Sequence, residues 1–214
     1  MGFLSTSNYY IRTAPHDLIL DLKINGSLDT FIETGSYLGE TSYWAENYFS
    51  SVLSFEASLE FYKNLKSSSI LKFIYADSSK ELHNYLKNSS IIYLDAHYSG
   101  GVTHKSYPLI SELNQINESK IENLVIIIDD ARFCISKWNG ESYGYIIDIL
   151  NLVSNSSNRY VCIFDDMIIA VPKSLSNIVD EWVLKRSSKY WNTFKYKRNI
   201  LKKIKYFITR KLKL

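Results

Sequence analysis

Short apolar runs recur through the first 172 residues, alternate with amphipathic stretches, and stop at carboxylates. The runs 52–55, 71–75, 91–94 and 124–128 end in Glu56, Ala76-Asp77, Asp95-Ala96-His97 and Asp129-Asp130 respectively. An earlier run inside 29–39 reaches Glu33 and then a turn punctuated by Gly35 and Gly39. Val125-Ile126-Ile127-Ile128 has no polar alternation, so both of its faces need cover, which a parallel sheet between helices supplies. Helices are expected over 16–24, 39–48, 59–66, 79–86, 108–118 and 143–153. The first has Pro15 in its opening turn, Thr13 as its cap and Gly26 as its stop. Runs 160–164 and 167–171 flank Asp165-Asp166, a pair suited to a tight hairpin. The pattern predicts an α/β chain with a doubly wound, mostly parallel seven-stranded sheet. That sheet ends in an antiparallel hairpin and has helices on both faces.

Five strands that finish in acidic residues put a carboxylate crescent along one edge of the sheet, the edge at which open α/β sheets bind ligands. Glycine at positions 35 and 39 lets the backbone turn tightly and approach a ligand, with the N–H groups of the next helix facing the same space. Glu33 beside that turn suits a ligand with a cationic or hydroxyl-rich end better than a pyrophosphate. Glu56 follows Glu33 by 23 residues, close to the roughly 20-residue offset at which an acid meets ribose hydroxyls. The competing reading has both glutamates capping helices and decorating loops.

Composition narrows the class. A chain of 214 residues with 46% hydrophobic content can bury a sizeable core. The two cysteines, Cys134 and Cys162, have no metal-type spacing and read as free thiols in a reducing, cytoplasmic setting. The net charge of +3 hides an asymmetry: residues 185–213 carry 12 Lys and Arg and no acid, which leaves 13 basic against 22 acidic residues elsewhere, a net of −9. The expected division is a main domain over 1–181 and a basic, partly amphipathic tail over 182–214. Nucleophilic catalysis is not indicated, since there is no Gly-x-Ser-x-Gly elbow and no phosphate-binding Walker loop.

The five carboxylate-terminated strands and the closing hairpin resemble the class I S-adenosylmethionine-dependent methyltransferases, with their Rossmann-like sheet, over about residues 15–172. Glu33-Thr34-Gly35-Ser36-Tyr37-Leu38-Gly39 looks like that family's first motif, with its close glycines stretched to Gly-x-x-x-Gly. The resemblance assigns Glu33, Thr34, Gly35, Ser36, Gly39 and Asp95 to the cofactor, Glu56 to its ribose and Asp77 to its adenine amino group. Leu94-Asp95-Ala96-His97-Tyr98-Ser99-Gly100-Gly101 is similar to a segment of small bacterial methyltransferases linked to surface polysaccharides. It implies a sugar or glycan hydroxyl as acceptor.

Two further expectations concern the chemistry. Asp95, Asp129 and Asp130 would converge at the ends of adjacent strands, and like charges that close favour a hard cation such as Mg²⁺. Metal-dependent O-methyltransferases resemble this arrangement; the alternative has Asp129 capping a turn and Asp130 paired with Arg132. With Asp95, His97 is the candidate catalytic residue, a base for the acceptor hydroxyl, or else a loop-ordering histidine. Gly100-Gly101 would let the loop that follows close over a substrate.

The tail, 199–214, sets apolar residues among Lys and Arg at near-helical intervals. It suits an anionic membrane on the cytoplasmic face, where a lipid-linked glycan would be met, or packing on its own body or a second subunit; nucleic acid is the least favoured partner. Two rival functions are a non-catalytic binding module on the same scaffold and an NAD-dependent nucleotide-sugar oxidoreductase. The missing Gly-x-Gly-x-x-Gly argues against the latter.

Overall fold

The computed structural model describes residues 14–96, 107–134, 144–155 and 158–188. The chain divides into two compact units, Met1–Ser176 and Asn177–Leu214. In the second, the described residues are helical through position 188. The expectations for the tail from residue 189 onward, for the loop at 97–106 and for the Thr13 cap lie outside the described residues.

The first unit is a seven-stranded sheet in the order β3-β2-β1-β4-β5-β7-β6. Its strands are β1 (Thr30–Thr34), β2 (Ser51–Glu56), β3 (Leu71–Tyr75), β4 (Ser90–Leu94), β5 (Leu124–Ile128), β6 (Arg159–Phe164) and β7 (Met167–Pro172). The first five pair in parallel, and β7 runs antiparallel to both β5 and β6. Strands β1, β4 and β5 are buried along their whole length, which is why β4 and β5 read as nearly continuous apolar runs, while β1 buries Glu33 along with two threonines. The hairpin forms at Asp165-Asp166, both with left-handed backbone (φ 53° and 68°), the conformation that a two-residue primed turn needs.

Helices α1 (His16–Gly26), α2 (Glu40–Ala45), α3 (Leu59–Tyr62), α4 (Ser78–Glu81), α5 (Leu109–Glu118) and α6 (Ile146–Ser154) fill the connections. Leu109, Leu113 and Ile116 of α5, with Ile149 and Val153 of α6, share a core with Ile32, Phe55, Ile92 and Ile126 on one face of the sheet. On the other face Phe31 meets the Trp44 ring of α2 edge-on at 6.4 Å and stacks toward Tyr93.

Four helices depart from their expected limits. Helix α2 stops at Ala45 because the chain tightens into i→i−3 bonds, and the Asn47 amide takes the carbonyls of Tyr43 and Trp44. Helix α3 is a single turn: Lys63, Asn64 and Lys66 are exposed and offer no apolar face to hold a longer helix. The stretch 79–86 divides into α4 and a 3₁₀ turn over Leu82–Tyr85. Helix α6 starts three residues late, after Gly144 at φ 125° and an extended Tyr145.

Candidate functional site

Because β1, β2 and β3 are parallel neighbours, Glu33, Glu56 and Asp77 stand along the same carboxyl edge of the sheet. The order reverses between β1 and β4, which opens a crevice where these two strands end. A cavity of about 290 Å³ lies there, lined by Glu33, Gly35, Tyr37, Tyr93, Asp95 and Asp129, with His16 at the start of α1 also on its wall.

The register explains why these side chains meet. Glu33 is level with Ser54 on β2 and Tyr93 on β4, so all three point to one face. Glu33 is 2% exposed, and it accepts hydrogen bonds from the hydroxyls of Ser42 and Ser54, the latter at 2.6 Å. Burial pushes its carboxyl up to about 7, against the pull of those hydroxyls and with a further push from Asp95. The Tyr93 hydroxyl donates to Asp129 Oδ2. Burial, and after it the charge of Asp95, pushes Asp129 up to about 7 as well. A pocket in which carboxyl groups hold protons near neutrality is short of positive charge, and a cation entering it lets them ionise.

The turn after β1 is built tightly on its own neighbours. Gly35 has φ +85°, and a Cβ there would lie 2.7 Å from the carbonyl oxygen of Asp95. Its missing side chain therefore makes room for the Asp95-Ala96 backbone just after β4, whereas the sequence suggested room for a ligand. Gly39, at φ +79°, makes room in the same way for the Tyr43 and Phe73 rings. The N–H groups of Gly35 and Ser36 donate to the Phe55 carbonyl at 3.0 and 2.9 Å. Ser36 and Ser54 exchange a 2.6 Å hydroxyl contact, and Thr34 is fully buried.

Glu56 is 7% exposed and anchors the turn, accepting from Tyr37 N at 2.8 Å and Ser58 N at 2.7 Å. A nucleoside's ribose hydroxyls would have to share this carboxylate with the main chain. Asp77 caps α4 by accepting from Ser79 N at 3.0 Å. Burial pushes its carboxyl up, but Ser79 and Lys80 outweigh that and hold it below the usual range. It lies outside the cavity lining, along the edge where the adenine end of a nucleoside would extend.

Only two of the three candidate metal ligands face one another. Asp95 and Asp129 share the cavity, whereas Asp130, in left-handed backbone at φ 55°, is ion-paired with Arg132 at 2.6 Å. Arg132 is held from the other side by Asp166 of the hairpin turn. Both Asp129 oxygens already accept, one from Tyr93 and one from the Asp130 N–H. Among the described residues no group of three His, Cys, Asp or Glu is placed to hold a metal ion, so the donors do not fit the expected three-carboxylate Mg²⁺ centre. His97 lies outside the described residues.

Ser42, Ser54, Tyr93 and His16 belong to this site and were not singled out from sequence. Ser54 and Tyr93 carried a signal, since each sits two residues before a strand-ending acid and period-2 alternation places it on that acid's face. His16 carried none.

No protein-family model matches the chain, and no curated protein matches it by sequence. Solved structures do share its fold. An O-methyltransferase from Bacillus cereus in complex with SAH is 17% identical over 75% of this chain and 82% of its own, with a TM-score of 0.52. The O-methyltransferase TomG from Streptomyces achromogenes, involved in tomaymycin synthesis and in complex with SAM, is 10% identical over 75% and 80%, with a TM-score of 0.52. At such identities the likeness is one of fold, and it agrees with the Rossmann-like sheet read from sequence. Among the described residues no helix is long and apolar enough to cross a membrane.

Proposed function

We propose that this protein is an S-adenosylmethionine-dependent methyltransferase that methylates a hydroxyl, with a sugar of a cytoplasmically assembled surface glycan as the acceptor. The observation that carries the reading is the acidic cavity at the β1–β4 switch point, with Glu33, Asp95 and Asp129 on its wall. A sulfonium and an ammonium group are cations, and they favour the ionised form of Glu33 and Asp129, the two carboxyls that burial pushes up to about 7. The likeness in fold to O-methyltransferases solved with SAH and SAM supports the same cofactor. The sugar acceptor rests on the Leu94–Gly101 segment alone.

When bound, the cofactor supplies an electrophilic methyl carbon. The chain's residues do the remainder. Glu33 and Asp95 attract the ammonium and sulfonium end, Glu56 accepts from the ribose, and Asp77 accepts from the adenine amino group. Tyr93, its proton committed to Asp129, fixes one wall against which the acceptor is oriented. Direct displacement needs alignment and the removal of one proton, with no covalent enzyme intermediate. The exposed Tyr37, whose ring meets Phe61 edge-on at 4.7 Å, offers an aromatic rim to a sugar face at the mouth of the cavity.

The test is transfer of labelled methyl from S-adenosylmethionine to glycan precursors, read by mass spectrometry of the released monosaccharides. O-methylated sugar supports the reading. Cofactor binding without any labelled sugar would remove the glycan acceptor and leave the cofactor assignment standing.

A further inference from the structure

Resting on the methyltransferase reading, we propose that His16 is the catalytic base, taking the acceptor's hydroxyl proton on its Nε2. His16 opens α1 and lines the cavity shared by Glu33, Tyr93, Asp95 and Asp129. Its Nε2 is enclosed and has no hydrogen-bond partner. An enclosed ring nitrogen without a partner loses its hydration for nothing in return, so an orphan of this kind in a residue of the cavity wall points to a ligand that meets it.

The ring is held for the task. It stacks on Trp44 at 3.8 Å between centroids and 10° between planes, and Trp44 is braced by the Phe31 edge and by Tyr48. Its backbone N–H is tied to the Ala14 carbonyl at 2.8 Å. Other polar groups of the wall are already engaged: Glu33 with two serines, Tyr93 with Asp129, and Asp129 with the Asp130 N–H. Burial lowers the imidazole's pKa, with Asp17 pulling the other way. A neutral ring with an available lone pair is what a proton acceptor requires.

The step balances. The acceptor oxygen forms a bond to the methyl carbon, the carbon–sulfur electron pair stays on sulfur, and the hydroxyl proton passes to Nε2. One positive charge leaves the sulfonium and one appears on the imidazolium. The cavity thus holds the same net charge before and after transfer, and the carboxyls that attract the cofactor also stabilise the protonated base.

The test needs no acceptor. Histidine ring NMR, with the His16 signal assigned by loss in His16→Gln, is followed against pH for the protein alone, with S-adenosylhomocysteine and with S-adenosylmethionine. Among the described residues, the ionisable groups around the ring are Asp17 on its own helix and Glu33, Tyr37, Glu40, Tyr93, Asp95 and Asp129 of the cavity. A ring next to the reacting sulfur feels the extra sulfonium charge. Its titration midpoint with the thioether is therefore expected to lie about half a pH unit or more above that with the sulfonium. Equal midpoints would overturn the proposal, and equal upward displacement would place His16 at the cofactor's carboxylate instead. Calorimetry on the same samples separates this from failure of the parent reading, in which neither compound binds.

Discussion

The Cβ that Gly35 lacks would lie 2.7 Å from the Asp95 carbonyl oxygen, which locks the turn after β1 to the chain leaving β4. The two segments that form the crevice thus hold each other in place through a contact that only glycine allows. Gly35→Ala adds both a backbone clash and a strained positive φ, and is expected to destabilise the protein by about 2–4 kcal/mol. Urea unfolding measures this. A change below about 0.5 kcal/mol would show that the turn is not under that constraint.

Glu112 gives a prediction about pH. It is 1% exposed, on the face of the sheet away from the cavity, and accepts from the Ser78 hydroxyl at 2.6 Å. Burial pushes its carboxyl from 4.5 up to about 7, with Ser78 opposing. The folded state therefore holds this proton more tightly than the unfolded chain. The associated stability is fully present below about pH 4.5 and is lost as pH rises through about 7. Glu112→Gln removes the titration, so the variant should gain on the wild type between pH 5 and pH 8 by on the order of 1–3 kcal/mol. Parallel pH profiles for the two proteins would contradict it.

Glu56 both anchors the Tyr37 and Ser58 amides and is assigned to the ribose. Glu56→Ala is expected to weaken S-adenosylhomocysteine binding at least tenfold, about 1.4 kcal/mol, as read by calorimetry. Unchanged affinity would remove Glu56 from the nucleoside site.

The ion pair between Asp130 and Arg132 bears on metal dependence. With Asp130 engaged there and Asp129 already accepting on both oxygens, cofactor affinity should be the same in excess chelator as in millimolar Mg²⁺. A tenfold rise with Mg²⁺ would mean that Arg132 yields Asp130 to an ion.

The central strand β5 was legible because it is buried on both faces and so appears as an unbroken apolar run, and β3, exposed at Lys72 and Tyr75, still falls where its mostly apolar run does. The hairpin was legible from two consecutive aspartates that tolerate positive φ. Helix ends were less so, because α2 and α3 stop where local bonds and the lack of a buried face decide, and propensity does not record either. Within the site, the strand-ending acids could be found from position alone. Their partners depended on parallel register, which sets Ser54 and Tyr93 level with Glu33, and on the packing of α1, which carries His16 to the cavity. Gly35 was found for its conformational freedom, but its neighbour is the backbone of Asp95 just after β4, a contact between segments 60 residues apart that no local pattern encodes.

The central claim is that the carboxyl-lined crevice binds a sulfonium nucleoside. Calorimetric titration with S-adenosylmethionine, beside NADH and an Asp95→Asn variant, tests it most directly. The account predicts saturable one-site binding of S-adenosylmethionine, none of NADH, and a loss in Asp95→Asn greater for S-adenosylmethionine than for its uncharged thioether product. No binding of S-adenosylmethionine to the wild-type protein, or preference for NADH, would contradict it.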